Sequence, residues 1–410
     1  MIEWSEQHLM VRDMVRRFVD AEIVPNLEEL EHGDMPPYDI MRKLVKTMGV
    51  DEAARMRYES MKSKAQAGGE RDSGHGGGGG GNADAVALQM IPIIELSRYC
   101  PGMVTAMGVS MGLTAGAIMA KGTWAQKDRW ALPLLTLEKI GAWAITEPGS
   151  GSDAFGSMKA TARRDGDDYL LNGQKTFITN GPYADTIVFI CKLDEGRKDH
   201  RERKVVSFIL DKGTPGLEQS KPLRKMGMHS SPTGELFLED VRVGRDRLMG
   251  ETEEAAGGRD GAKSTFGTER SGVVAMAYGM VDRCLELCTD YARTRVQFGK
   301  PIGEFQLIQL KLAKMQVARI NIQNMLFRQI EIAAAGRRQS FAEASAAKLY
   351  AAQATMEVCL EAVQLFGGNG YMAEFQVEQL CRDAKVLQIY GGTDEIQTSQ
   401  IARSLLAGEL

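Results

Sequence analysis

Thr146-Glu147-Pro148-Gly149-Ser150-Gly151-Ser152-Asp153 is a Gly/Ser turn rich in hydroxyls and backbone donors. It opens the stretch from Trp143 to Asn180, whose alternating end reads Lys175-Thr176-Phe177-Ile178-Thr179-Asn180. A polar turn and β-ribbon set between two helical blocks suggests a bound cofactor seated where the blocks meet. Gly149 to Ala154 formally fits the dinucleotide fingerprint G-x-G-x-x-A, but that fingerprint needs a helix at once, inside a βαβ unit. Here Lys159–Gly166 leads into strand character instead, so a Rossmann site is rejected. Metal chemistry finds no support either. The five histidines are isolated, and Cys284 and Cys288, without a neighbouring His, fall on one apolar helical stripe and read as core packing.

The elements that must hold this stretch are helical on both sides. Met10, Val11, Met14, Val15, Phe18, Val19 and Ile23 recur at three- and four-residue steps until Pro25, and a second helix is expected over about Tyr38–Met48. Six consecutive glycines, Gly76–Gly81, sit in a segment of about 62–82 that reads as a flexible loop, because no strand precedes them and no Lys-Ser/Thr follows. From Ala83 to about Lys121 the pattern is helical again. Its Met103, Met107 and Met111 lie on one face, either as core or as the wall of an apolar ligand tunnel.

Closely spaced β-rich runs fill the centre: Tyr169–Phe177 around Asn172-Gly173, an expected hairpin turn, then Thr186–Leu193, Val205–Leu210 and Glu235–Val243. Three long helices follow, ending near Gly299, Gly336 and Gly367, with two shorter ones flanking Tyr390-Gly391-Gly392-Thr393. The expected fold class is therefore α+β multidomain and mostly α. An N-terminal helical domain (1–141) precedes a central antiparallel β-barrel or sandwich (142–250), and a C-terminal four-helix bundle (251–410) closes the chain. A net charge of −4 and a pI near 5.9 give no electrostatic reason to expect nucleic acid. No apolar run is expected to reach the roughly 20 residues of a membrane crossing. The acidic, helix-like start makes the cytoplasm the expected compartment.

Five motifs, in order and over nearly the full length, resemble the acyl-CoA dehydrogenases: Thr146–Asp153, Asn172–Lys175 with Phe177–Gly181, Arg293–Ile302, Gln364–Tyr371, and Arg382–Lys385 with Ile389–Thr393. The resemblance implies FAD, a fatty or branched acyl-CoA substrate, and α,β-dehydrogenation to the trans-2-enoyl-CoA. A homotetramer and reoxidation by an electron-transfer flavoprotein are implied as well. By the same resemblance Thr146 and Thr179 give hydroxyls to the flavin, Ser152 faces its pyrophosphate and Phe177 lies against its ring. Arg295, Phe298, Gln364, Gly367 and Gly368 reach a neighbouring subunit's FAD, and the tail motif Tyr390, Gly391 and Thr393 borders substrate and cofactor.

Removing an α-proton requires a base, and the resemblance implies a carboxylate. Many family members carry it between the Tyr and Gly of the tail motif, where this chain has Gly391. A subset that includes the long-chain and isovaleryl enzymes resembles this chain at Thr268-Glu269-Arg270, so Glu269 is the expected base, with Arg270 supporting it or the site wall. Glu395 is the rival base, and Glu147 reads as a turn-building residue. The Gly391 N–H is expected to bond the thioester oxygen. Two alternatives stay open: a flavin-bearing, DNA-associated member of the same superfamily, and an inactive subunit of a hetero-oligomeric dehydrogenase.

Overall fold

The computed structural model describes residues 3–67, 83–196, 199–253, 258–337 and 339–408, and of residues 200 and 258–269 the backbone only. The glycine run expected to form a loop lies outside the described residues, and residues 62–66 of the expected loop belong instead to a separate helix, Val50–Gln66, after the expected second helix.

Nine helices open the described chain: α1 (Glu6–Phe18), α2 (Leu27–Glu31), α3 (Tyr38–Thr47), α4 (Val50–Gln66), α5 (Ala83–Ser97), α6 (Pro101–Met107), α7 (Ala115–Lys121), α8 (Trp124–Gln126) and α9 (Leu132–Leu135). Three wider π-helical segments interrupt them at Val19–Ile23, Gly108–Thr114 and Lys127–Ala131. Contrary to the sequence expectation, the continuous run Pro101–Lys121 is long and apolar enough for a membrane crossing, with a mean hydropathy of 1.6. In this fold one side of it packs against protein. Ser110 accepts the Gly141 N–H at 2.9 Å, and Met103, Ala106, Ala115 and Ile118 are buried.

The centre is one curled sheet of β1 (Gly141–Ala144), β2 (Thr161–Asp165), β3 (Asp168–Thr179), β4 (Thr186–Leu193), β5 (Val205–Asp211), β6 (Leu217–Gln219) and β7 (Thr233–Gly244), in the order β1-β4-β2-β3-β7-β6 with β5 on β4. Most pairs are antiparallel, as expected, but β1 and β2 both run parallel to β4. Both leave their turns in the direction that β4 takes. Every residue of β4 is buried because its two faces feed two cores. Ile187, Phe189, Cys191 and Leu193 point into the sheet's interior, whereas Val188 and Ile190 pack with Ile118, Trp130 and Leu134 from the helices.

The expected hairpin at Asn172-Gly173 is not there. β3 continues through both residues, with a slip in its β7 register between Leu171 and Gly173, and the β2–β3 turn is Gly166-Asp167, closed by the Asp165–Asp168 pair. Gly173 is required for a different reason: a Cβ on it would lie 2.7 Å from the Ala160 Cβ. Close passage of two backbones, not chain reversal, selects glycine here.

The last block is α10 (Gly258–Thr294), a two-strand ribbon of β8 (Val296–Gln297) and β9 (Lys300–Pro301), then α11 (Gln306–Ala334), α12 (Phe341–Phe366), α13 (Val377–Leu387) and α14 (Asp394–Leu406). α10, α11 and α12 pack on one another with α13 alongside, and α5 lies against α10 and α11. Consequently Ala87, Ile94 and Leu96 share a continuous core with Val273, Met280, Ile322 and Ala351. Cys284 and Cys288 lie in that core, with burial pushing the Cys288 thiol up. Among the described residues no group of His, Cys, Asp and Glu is placed to hold a metal.

Candidate functional site

The Gly/Ser turn is braced from within. Glu147 and Ser150 exchange backbone hydrogen bonds at 3.2 and 3.0 Å, and the Ser150 hydroxyl donates to the Asp153 carbonyl at 2.8 Å. The Glu147 carboxylate turns inward, accepting the Lys159 and Ala160 N–H groups at 2.7 and 2.9 Å and the Lys175 ammonium at 2.9 Å. Lys175, wholly buried, also donates to the Ile145 carbonyl at 3.0 Å. Burial pulls its pKa down while Glu147 opposes that pull. Glu147 is thus the turn-builder expected from the sequence.

This brace leaves the outer surface of the turn open. A Cβ at Gly149 or Gly151 would meet nothing within 4 Å, and neither residue has a left-handed φ, so this chain's own packing does not require glycine there. Space kept clear beside backbone donors fits a phosphate-bearing ligand. Ser152 is exposed at the same turn.

The Thr176 N–H donates to the Thr146 carbonyl at 2.9 Å, which lays Thr146 beside β3. The β3–β7 register then slips between Lys175 and Ile178, with φ +55° at Phe177. The slip buries Ile178 and lifts the Phe177 ring out, 70% exposed. A large aromatic held in the open at a backbone cost is available to a ligand. Thr179 is half-buried next to it, and Asn180 anchors the strand end. Its amide donates to the Ala106 and Gly141 carbonyls at 2.9 Å each and accepts from Tyr38 at 3.1 Å.

A second group forms where α10 meets the tail turn. Arg270 is buried over the Phe341 ring at 4.0 Å, donates to Ser345 at 3.1 Å and brings Nε to 3.5 Å from the Gly391 carbonyl. Glu269 precedes it on α10, and its side chain lies outside the described residues. Tyr390 contacts the Met276 sulfur at 3.6 Å. Thr393 caps α14, accepting the Ile396 N–H at 3.3 Å. Glu395 is exposed in the first turn of α14, where backbone and Thr393 hydrogen bonds hold its carboxyl below the usual range. That is the position of a helix-capping acid.

A third group lies at the opposite end of α10. The helix closes at Thr294, so Arg295 and Phe298 belong to the β8–β9 ribbon rather than to the helix as expected. Phe298 has φ +51° and is 94% exposed. Tyr291 stacks on Phe366 at 4.1 Å and takes a hydrogen bond from Asn369 at 3.0 Å, which seats the exposed Gln364, Gly367 and Gly368 beside the ribbon. From Arg270 to Thr294 the axial distance is about 36 Å at the helical rise. One flavin nucleotide cannot touch both Thr393 and Arg295 of the same chain.

Two residues with a place in the site escaped the sequence reading: Lys348 and Gln397, fully buried beside the Gly391-Gly392 turn. Lys348 was detectable as a lone charge on the apolar Ala344, Ala347, Ala351 face of α12.

A sheet-bearing middle between helical blocks, with an open glycine turn and an exposed aromatic, defines a flavoprotein oxidoreductase architecture. The chain belongs to the acyl-CoA dehydrogenase family. The family's N-terminal domain matches residues 5–138, its middle domain 142–241 and its C-terminal domain 256–406. The short-chain specific acyl-CoA dehydrogenase of Megasphaera elsdenii is 34% identical over 95% of each chain. A subunit of the caffeyl-CoA reductase–Etf complex of Acetobacterium woodii is 32% identical over 98% of this chain and 99% of its own. The solved butyryl-CoA dehydrogenase of Megasphaera elsdenii superposes with a TM-score of 0.83 at 31% identity, over 99% of this chain and 100% of that one. Members of this family are FAD-dependent, and the open glycines, half-buried threonines and exposed Phe177 fit that group.

Proposed function

We propose that this enzyme removes the α-proton and the β-hydride of an acyl-CoA thioester, giving the trans-2-enoyl-CoA, with Glu269 as the base. The observation that carries this reading is Arg270 at 3.5 Å from the Gly391 carbonyl, which ties the start of α10 to a tail turn that has no carboxylate of its own. Bound FAD supplies the acceptor for the hydride. Thr146 and Thr179 hold the flavin edge, Ser152 and the open glycines meet its phosphates, and Phe177 covers the ring. The Gly391 N–H binds the thioester oxygen and so acidifies the α-carbon, while the Glu269 carboxylate takes the proton.

Arg295, Phe298, Gln364, Gly367 and Gly368 serve a second copy's FAD, because α10 carries them too far from their own chain's tail turn. The apolar α11 face of Leu307, Leu310, Val317 and Ile320, each between 43% and 75% exposed, supports burial between copies in a homotetramer. An electron-transfer flavoprotein is the proposed oxidant of the reduced enzyme, in keeping with the Etf complex that the Acetobacterium relative's name records. The proposed compartment is the cytoplasm, where the six cysteines, all free thiols, stay reduced.

The test is Glu269→Gln. The variant keeps FAD and binds acyl-CoA, but anaerobic substrate no longer bleaches the flavin. Bleaching at the wild-type rate would remove Glu269 from the mechanism.

A further inference from the structure

The turn Tyr390–Thr393 is fastened through its carbonyls. Gln397 on α14 donates Nε2 to the Gly391 carbonyl at 2.9 Å and to the Gly392 carbonyl at 3.0 Å. Lys348 on α12 donates Nζ to the Gly392 carbonyl at 2.8 Å and lies 3.7 Å from Asp394. From α10, Arg270 approaches the Gly391 carbonyl. Three helices thus each send one donor to two consecutive carbonyls. The Gly391 N–H, by contrast, donates to no backbone carbonyl among the described residues. Both glycines are left-handed, at φ +62° and +95°, and a Cβ at Gly392 would lie 2.6 Å from the Gln397 amide nitrogen.

Capping of α14 does not account for this arrangement. Thr393 already accepts the Ile396 N–H, and Asp394 and Glu395 supply first-turn acids. Lys348 and Arg270 bring two buried cations, Lys348 3.7 Å from Asp394, to the carbonyl side of that turn. The same turn carries the Gly391 N–H, which donates to no backbone carbonyl among the described residues.

We infer that Lys348 and Gln397 are positioning residues for the thioester oxygen. They fix the Gly391-Gly392 turn so that its N–H meets that oxygen, and Lys348 sets a fixed positive potential behind the place where negative charge develops as the α-proton leaves. The inference rests on the reading that the Gly391 N–H faces the thioester.

The test uses FAD-loaded enzyme and an enoyl-CoA labelled with 13C at the thioester carbonyl. In wild type the carbonyl resonance moves downfield on binding. Lys348→Met loses most of that shift and at least about tenfold in kcat, while keeping KM, FAD content and a cooperative melting transition. Lys348→Arg restores both, and Gln397→Glu, which puts acceptors in place of the amide donor, behaves like Lys348→Met. A full wild-type shift in both loss variants overturns the inference, as does loss of FAD and cooperative melting in both, which marks a purely structural role. An unshifted carbonyl in wild type itself removes the Gly391 reading instead.

Discussion

Lys175 Nζ and Glu147 Oε1 lie 2.9 Å apart with both side chains buried, and this pair fastens β3 to the inside of the Gly/Ser turn. Burial disfavours the Lys175 charge and Glu147 opposes that pull, so the pair is held together in a site closed to water. Lys175→Met leaves the carboxylate with two backbone N–H donors and no cation. Removing one partner of such a pair costs about 3–5 kcal/mol, read as a lowered denaturant midpoint, with FAD lost in step. Glu147→Gln also destabilises, and the double variant loses less than the sum of the singles. Strict additivity in that cycle contradicts the coupling.

Glu269 and Glu395 are separated by the same reasoning. Glu395 is exposed and kept ionised by helix N-terminal hydrogen bonds, a poor environment for a group that must accept a proton and return it. Glu395→Gln should keep kcat within about twofold, while Glu269→Gln loses about 10²–10⁴. Stopped-flow flavin reduction measures both, and the reverse ranking assigns the base to Glu395.

Much of the fold was legible because local and tertiary preferences agree. α12 spans Phe341–Phe366, as its apolar period and terminal glycines indicate, and β4 and β5 lie on their β-branched runs. The sequence failed where one residue type serves two purposes. Gly173 reads as a turn glycine beside Asn172, yet it is glycine because Ala160 crosses its backbone. The assignment of Thr146, Thr179 and Phe177 to the flavin rests on motif resemblance. Lys348 and Gln397 were missed: a lone charge on the apolar α12 face flags Lys348, but nothing local records that helices more than 40 residues apart converge on one turn.

The split of the proposed flavin set along α10 predicts complementation. If Thr179 of one copy and Arg295 of another serve the same FAD, Arg295→Ala and Thr179→Ala each weaken FAD binding alone. Reassembled together at random, they regain about a quarter of the wild-type sites. Flavin fluorescence quenching during co-refolding measures the recovery. A mixture that binds no more FAD than its two components separately contradicts a site shared between copies.

Glu31 gives the pH dependence. It is buried with neither carboxylate oxygen hydrogen-bonded among the described residues, and it faces Asp383, Arg382, Glu378, Lys225 and His229, with Arg382 at 3.8 Å and His229 at 3.9 Å. Burial first, then Asp383, pushes its pKa from 4.5 up to about 8, against the pull of Arg382 and Lys225. The folded protein therefore holds a proton that the unfolded chain releases, and stability present below pH 4.5 is lost as pH rises toward 8. Lys225 works in the other direction. Burial brings it from 10.5 down to about 8, so the unfolded chain binds the extra proton and stability climbs again above that pH. Melting temperature should pass through a minimum near pH 8. Glu31→Gln should flatten the acid branch and raise the melting temperature at pH 8 above that of wild type. Parallel profiles for the two proteins from pH 5 to 9 would show that Glu31 stays ionised in the fold.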